Sequence, residues 1–184
     1  MSVNSNKDNL GSKIIDFSLE SIDGKFYSPQ DFDDKKLLII IFKCNHCPYV
    51  KAVIERFVVF QSEYKDKGVQ LIGINPNDTE TYPEDSFDNM KNFAAKHKLN
   101  FPYLADETQE VARKYDAVCT PDIFLYDKNR ILKYRGRLDD SWKDENKVRE
   151  KDLEKAVKLL LDDKEIDFAQ IPSMGCSIKW KKNL

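Results

Sequence analysis

Cys44 and Cys47 are separated only by Asn45 and His46, in the run "FKCNHCPYVKAV". Two thiols at this spacing can close and reopen a disulfide ring, the chemistry of thiol–disulfide exchange, or supply half of a metal site. Exchange needs a thiolate, because only the anion attacks a sulfur–sulfur bond. A helix beginning here favours that anion. Its first-turn N–H groups lack partners and together carry roughly half a positive charge, and Pro48 is tolerated because its missing N–H is one of those orphans. The expectation is that Cys44, open to solvent at the helix terminus, attacks, and that Cys47 in the first turn resolves the mixed disulfide from within bonding range. His46, when protonated, adds positive charge beside the pair. A ribbon-type zinc site wants a second Cys pair or a His pair. Cys119 and Cys176 stand alone and far apart, so no metal is expected.

Periodicity supplies the elements that must hold this seam. "LLIIIF" (37–42) is a continuous apolar, partly β-branched run, the pattern of a strand buried on both faces. After the cysteines the period changes: Val50, Val53, Ile54, Phe57, Val58 and Tyr64 recur at helical spacing, with Gly68 at the expected stop. "VQLIGIN" (69–75) reads as the next buried strand. A polar loop (76–85) then precedes a helix marked by Phe87, Met90, Phe93, Ala94 and His97, and "FPYLAD" (101–106) reads as a short strand. Asp106 and Gln109 suggest a capping box ahead of a short helix through Val111, Ala112 and Tyr115. Hairpins are expected about Asp23-Gly24 and about Asp127–Arg130, and a last helical stripe over Val148, Leu153, Ala156, Val157, Leu160 and Leu161. Residues 1–12 read as a flexible tail, and "DFAQIPSMGCSIKWKKNL" as an irregular one. The sum is an α/β chain with a central mixed β-sheet flanked by helices and an N-terminal β-hairpin extension, a single domain over 13–184.

At 184 residues with a formal charge of −2 on mixed acidic and basic residues, the chain carries no field for nucleic acid or anionic lipid. No segment approaches the ~18 uninterrupted apolar residues of a membrane span, and the polar start lacks a signal-peptide core, so the expected location is cytoplasmic. Four cysteines are too few for a disulfide-stapled scaffold of this length. Six glycines form no phosphate-binding motif, so no nucleotide or flavin cofactor is expected. Trp142 and Trp180 read as packing, and "KDENKVREKDLEK" as a solvated face.

Taken together, "FKCNHCPYVKAV", "VCTPDIFLYD" and "GCSIKW" resemble the thioredoxin-like proteins of the peroxiredoxin-like branch, related to the alkyl hydroperoxide reductase/thiol-specific antioxidant family. The likeness runs from about residue 12 onward. It implies a thioredoxin-like fold in which Pro121 is a cis-proline facing the dithiol and Thr120 presents its backbone to an extended substrate segment. It also implies that Cys47 matches the peroxidatic cysteine of peroxiredoxins. The threonine, proline and arginine that support peroxide chemistry there fall at Cys44, Ile40 and Pro121 here, which disfavours the usual peroxidase. The buried acid of thioredoxins is missing, since residues 35–43 contain no Asp or Glu. The expected activity is therefore thiol–disulfide exchange at a Cys-Asn-His-Cys dithiol, acting on protein disulfides or small thiols and regenerated by an upstream reductant. A thiol-dependent peroxidase and a redox-sensing module without turnover are the alternatives. Cys119 and Cys176 are possible additional thiols, Cys176 reading more readily as a buried tail residue.

Overall fold

The computed structural model describes residues 2–5 and 9–182. "LLIIIF" forms strand β4 (Leu37–Phe42), all six residues buried. Alternation along the pleat sends Leu37, Ile39 and Ile41 to one core and Leu38, Ile40 and Phe42 to the other. Each such side chain contributes about 1.5–3 kcal/mol on leaving water, which makes this strand the axis of the fold. Parallel to it runs β5 (Val69–Asn75), and parallel to that β6 (Tyr103–Ala105). On the other side of β4, β8 (Asp122–Tyr126) and then β9 (Leu132–Arg135) pair antiparallel, joined through the expected turn at Asp127–Arg130. The expected hairpin about Asp23-Gly24 joins β2 (Leu19–Ser21) to β3 (Phe26–Tyr27) and extends the sheet by pairing with β6. The seven-stranded mixed sheet runs β3-β2-β6-β5-β4-β8-β9.

Helices α1 (Pro48–Tyr64), α2 (Phe87–His97) and α4 (Asp152–Leu161) cover one face through Val53, Ile54, Phe57, Phe93, Leu153 and Val157. The short α3 (Glu110–Lys114) covers the other with Val111 and Ala112, beside Phe17 and Tyr115. The stop after α1 is a 3-10 turn closed by Gly68 at φ +83°, a left-handed position glycine adopts without cost.

Several expectations are corrected. The capping box at α3 does not form. Asp106 accepts the Val111 and Ala112 N–H groups at 3.3 and 2.8 Å, while Gln109 reaches away to Pro76 O and Lys179 O. Val148 stands outside α4, because the helix starts at Asp152 with Asp152 and Glu154 in its first turn, where carboxylates suit the dipole. Both tails contain strands. Ser2–Asn4 (β1) and Met174–Ser177 (β10) pair antiparallel, and β10 pairs in turn with β7 (Cys119–Thr120), making a second, three-stranded sheet. The remaining residues of the expected flexible tail at 1 and 6–8 lie outside the described residues. None of the helices, searched over the described residues, is long and apolar enough to cross a membrane.

Candidate active site

The loop after β4 and the start of α1 place Cys44 and Cys47 at the C-terminal edge of the parallel strands. Cys47 is the N-cap of α1, one position earlier than expected, and Pro48 is the first helical residue. The two thiols lie close enough for each to shift the other's pKa. Facing them is Thr120, followed by a cis Thr120–Pro121 bond. Cys44 Sγ lies 3.5 Å from Thr120 Oγ1, and protonated Cys47 Sγ donates to Thr120 O at 3.1 Å. Beside Pro121 opens a cleft of about 260 Å³, lined by Tyr49, Val53, Trp142 and Met174 among others. Trp142 packs on Tyr49 at 4.1 Å between ring centroids, so it forms part of this wall.

Two expectations about the pair change. Cys44 is not open to solvent: both sulfur-bearing residues are 0 % exposed, and β10 runs alongside. The anion is also favoured at the other sulfur. The Cys44 hydrogen bond, chiefly, with further donors at Cys176, the Val50 amide and the Thr120 hydroxyl, outweighs burial and brings Cys47 down to about 4. The Val50 contact falls short of a full cap hydrogen bond but has the right sign. Donating to Cys47, together with burial and the nearby Asp85 carboxylate, holds Cys44 well above the ordinary thiol range. The N-cap position adds to this polarity: residue 47, not 44, meets the helix terminus.

The acid that residues 35–43 lack arrives from elsewhere. Asp85, fully buried at the end of a 3-10 turn (Pro83–Asp85) after β5, accepts the Asn45 N–H at 2.7 Å and the His46 N–H at 3.2 Å. It also accepts His46 Nδ1 at 2.6 Å and Asn77 Nδ2 at 2.7 Å. Burial pushes Asp85 up, yet these bonds bring it below the usual carboxylate range, and its bond to His46 raises the imidazole above the usual one. Stacking on Tyr82 at 5.5 Å fixes the ring plane. Cys44 Sγ, a His46 nitrogen and an Asp85 oxygen all lie within 4.8 Å of one another. Such a trio has metal-ligand chemistry, but both Asp85 oxygens and the His46 Nδ1 are engaged by protein hydrogen bonds, which fits a proton-handling pair better than a cation site.

Beneath the pair, Asn45 accepts the Tyr103 hydroxyl at 2.8 Å and donates to Glu84 O at 3.0 Å, locking the intervening residues. Lys43, which ends the apolar run, buries its ammonium group 3.0 Å from the Tyr103 ring centroid without a hydrogen-bond partner among the described residues. Burial holds its pKa well below the usual lysine range. Cys119 is buried with its thiol directed at Pro121 O (3.5 Å), and burial pushes it up, so it remains a protonated neighbour. Cys176, across from Thr120 on β10, packs against the buried cluster that holds Cys44 and Cys47. The expected site residues Cys44, Asn45, His46, Cys47, Thr120 and Pro121 thus share one site, joined by Cys176, Asp85 and Lys43. Asp85 had one faint signal, an acid in the loop that follows the strand adjacent and parallel to β4, on the same sheet edge.

This chain is 25% identical over 130 residues to the thiol-disulfide oxidoreductase ResA of Geobacillus thermodenitrificans, covering 67% of each chain. It is 25% identical over 108 residues to a putative peroxiredoxin bcp of Helicobacter pylori, covering 59% of this chain and 66% of that one. It spans about two thirds of the length of these curated relatives. The fold is shared with a putative thiol:disulfide interchange protein DsbE from Chlorobium tepidum (23% identity, TM-score 0.58, 68% of this chain and 83% of that one). A solved structure of an uncharacterized conserved protein from Geobacillus kaustophilus is 42% identical with a TM-score of 0.94, covering 100% of this chain and 98% of that one. The model for the AhpC/TSA family matches residues 10–135, more than half of the chain and all of the site except Cys176. With its thioredoxin-like sheet and its thiols at the helix start, the chain belongs to the AhpC/TSA family.

Proposed function

We propose that the protein is a thiol–disulfide oxidoreductase working through the Cys44–Cys47 pair, with the roles of the two thiols reversed from the sequence expectation. The observation that carries this reading is the convergence of both sulfurs on Thr120, beside the cis Thr120–Pro121 bond at the start of α1. In the reducing direction the Cys47 thiolate attacks one sulfur of a substrate disulfide. A mixed disulfide forms and the other substrate sulfur leaves as a thiolate. Cys44, giving its proton to the adjacent Asp85–His46 pair, then attacks Cys47 Sγ; the Cys44–Cys47 bond forms, the mixed disulfide breaks, and the substrate has gained two electrons. The oxidising direction is the reverse sequence. Equilibration in glutathione buffers followed by acid quenching and peptide mapping tests it. A Cys44–Cys47 disulfide forming reversibly, with turnover of a model protein disulfide lost in Cys47→Ser, is the expected result; a pair that stays reduced across the whole range sinks the reading.

One observation favours a second reading. The anion falls on Cys47, the residue that matches the peroxidatic cysteine. Attack on a peroxide O–O bond would give a sulfenic acid on Cys47 and release hydroxide or an alkoxide, after which Cys44 condenses with it and water leaves. Pro121 stands where an arginine would stabilise the leaving oxygen in the usual peroxidase, which weighs against this reading. Consumption of hydrogen peroxide at a rate matching that of disulfide reduction would favour this second reading.

A further inference from the structure

A thiol that reaches Cys47 from outside must approach Thr120, and this chain already has one seated there. Strand β10 lies antiparallel on β7 with Cys176 opposite Thr120, and Cys176 packs against the buried cluster that holds Cys44 and Cys47. The approach is so close that a Cβ on Gly175 would sit 2.1 Å from Thr120 O and 2.5 Å from its carbonyl carbon, so only glycine is accommodated. The strand is fixed from both sides. Its other edge pairs with β1, Ser173 exchanges hydrogen bonds with Ser5 at 2.8 and 2.9 Å, and Lys179 N donates to Asn77 Oδ1 at 2.9 Å. Asn77 is also the residue that holds Asp85, which ties the tail to the acid beside Cys44. Cys44 and Cys47 are sealed at 0 % exposure, while Cys176 is partly exposed.

We propose that Cys176 is a third redox thiol, held by β10 in the position of a substrate cysteine, and that oxidising equivalents pass between the buried pair and external thiols through a Cys47–Cys176 disulfide. This rests on the exchange reading above. In the oxidising direction Cys176, as a thiolate, attacks Cys47 Sγ of the Cys44–Cys47 disulfide. The Cys47–Cys176 bond forms, the Cys44–Cys47 bond breaks, and Cys44 leaves as the thiolate that takes up the proton Cys176 released. An external thiolate then attacks Cys176 Sγ, and Cys47 leaves as its thiolate. A second external thiol displaces Cys176 and carries away the disulfide. Two electrons have moved from the external dithiol to the protein, and Cys176 is regenerated.

Glutathione disulfide is the probe, applied to reduced wild-type protein, to Cys44→Ser and to Cys44→Ser/Cys176→Ser, with acid quenching and non-reducing peptide mapping. In Cys44→Ser, thiols titrated in denaturant should fall from three per chain to one, with Cys47 and Cys176 joined. In the double variant, glutathione should remain on Cys47. Glutathione accumulating on Cys47 of Cys44→Ser while Cys176 stays reduced overturns the proposal; a Cys44–Cys47 disulfide in wild type would then still leave the exchange reading standing, and its absence would remove both. Wild-type protein gives a check free of substitutions: quenched during oxidation, it should yield the Cys47–Cys176 peptide pair, and its absence at every time point overturns the proposal.

Discussion

At the scale of single residues, chemistry resides in a few polar groups whose burial makes each partner decisive. Asp85 is 0 % exposed yet ionised, because four protein donors replace its water. The His46–Asp85 pair should therefore have a defined stability window. His46 is raised in the folded state, so its contribution is complete below its unfolded value of about 6.5 and is lost as pH rises through the higher folded value. Asp85 is lowered, so its contribution is complete above about 3.9 and lost as pH falls through the folded value. Asp85→Asn should thus cost more stability at about pH 5.5 than at about pH 8.5, and should lower the His46 titration, where burial and Lys179 then act unopposed, read by proton NMR. An unmoved His46 titration would show that Asp85 does not set it. The sequence exposed Cys44, His46 and Cys47 because their spacing is local. Asp85 and Lys43 were hidden, one forty residues away and one at the end of an otherwise apolar strand.

Elements were legible where their signal is a period and illegible where it is a partner. Strands β4 and β5 and helices α1 and α2 announce themselves by apolar runs and helical spacing. Strands β1, β7 and β10 have two to four residues each, include a glycine, and acquire their hydrogen bonds only from one another across most of the chain. Their pairing removes solvent from the dithiol, so the same blind spot that hid a sheet also hid the burial of Cys44. Gly175 is the test at this scale. Ala at 175 must push β10 off Thr120, since the clash is with backbone. Overpacking of this kind costs about 1–3 kcal/mol, which by the usual 1.4 kcal/mol per decade raises opening by about fivefold to about a hundredfold. Alkylation of Cys47 by iodoacetamide should accelerate accordingly in Gly175→Ala, located by peptide mapping. An unchanged rate would mean that β10 does not govern access.

For the whole molecule, the sheet and its two cores are indifferent to oxidation, while the thiol cluster is not, so redox state and folding stability must be linked through that cluster. Reduced and folded, Cys47 receives donors from Cys44 and Cys176; unfolded, it is an ordinary thiol near 8.5. Closing the Cys44–Cys47 bond removes that advantage and returns little, because so short a loop constrains the unfolded chain weakly. The reduced protein should therefore be the more stable form, unfolding at higher urea than the oxidised one. The sign with pH follows from the lowered value: the advantage is complete above about 8.5 and disappears as pH falls through about 4, so the gap between the two unfolding curves should widen between those limits. Each unit of displacement is worth about 1.4 kcal/mol against the roughly 2 kcal/mol that closing so short a loop returns, so a lowering of about two units or more makes the reduced form the more stable. A protein whose reduced form is stabilised is an oxidant, and its potential in glutathione buffers should lie nearer about −120 mV than about −270 mV. Urea unfolding of the two forms at several pH values decides this, and an oxidised form that outlasts the reduced one would place the anion elsewhere than on Cys47.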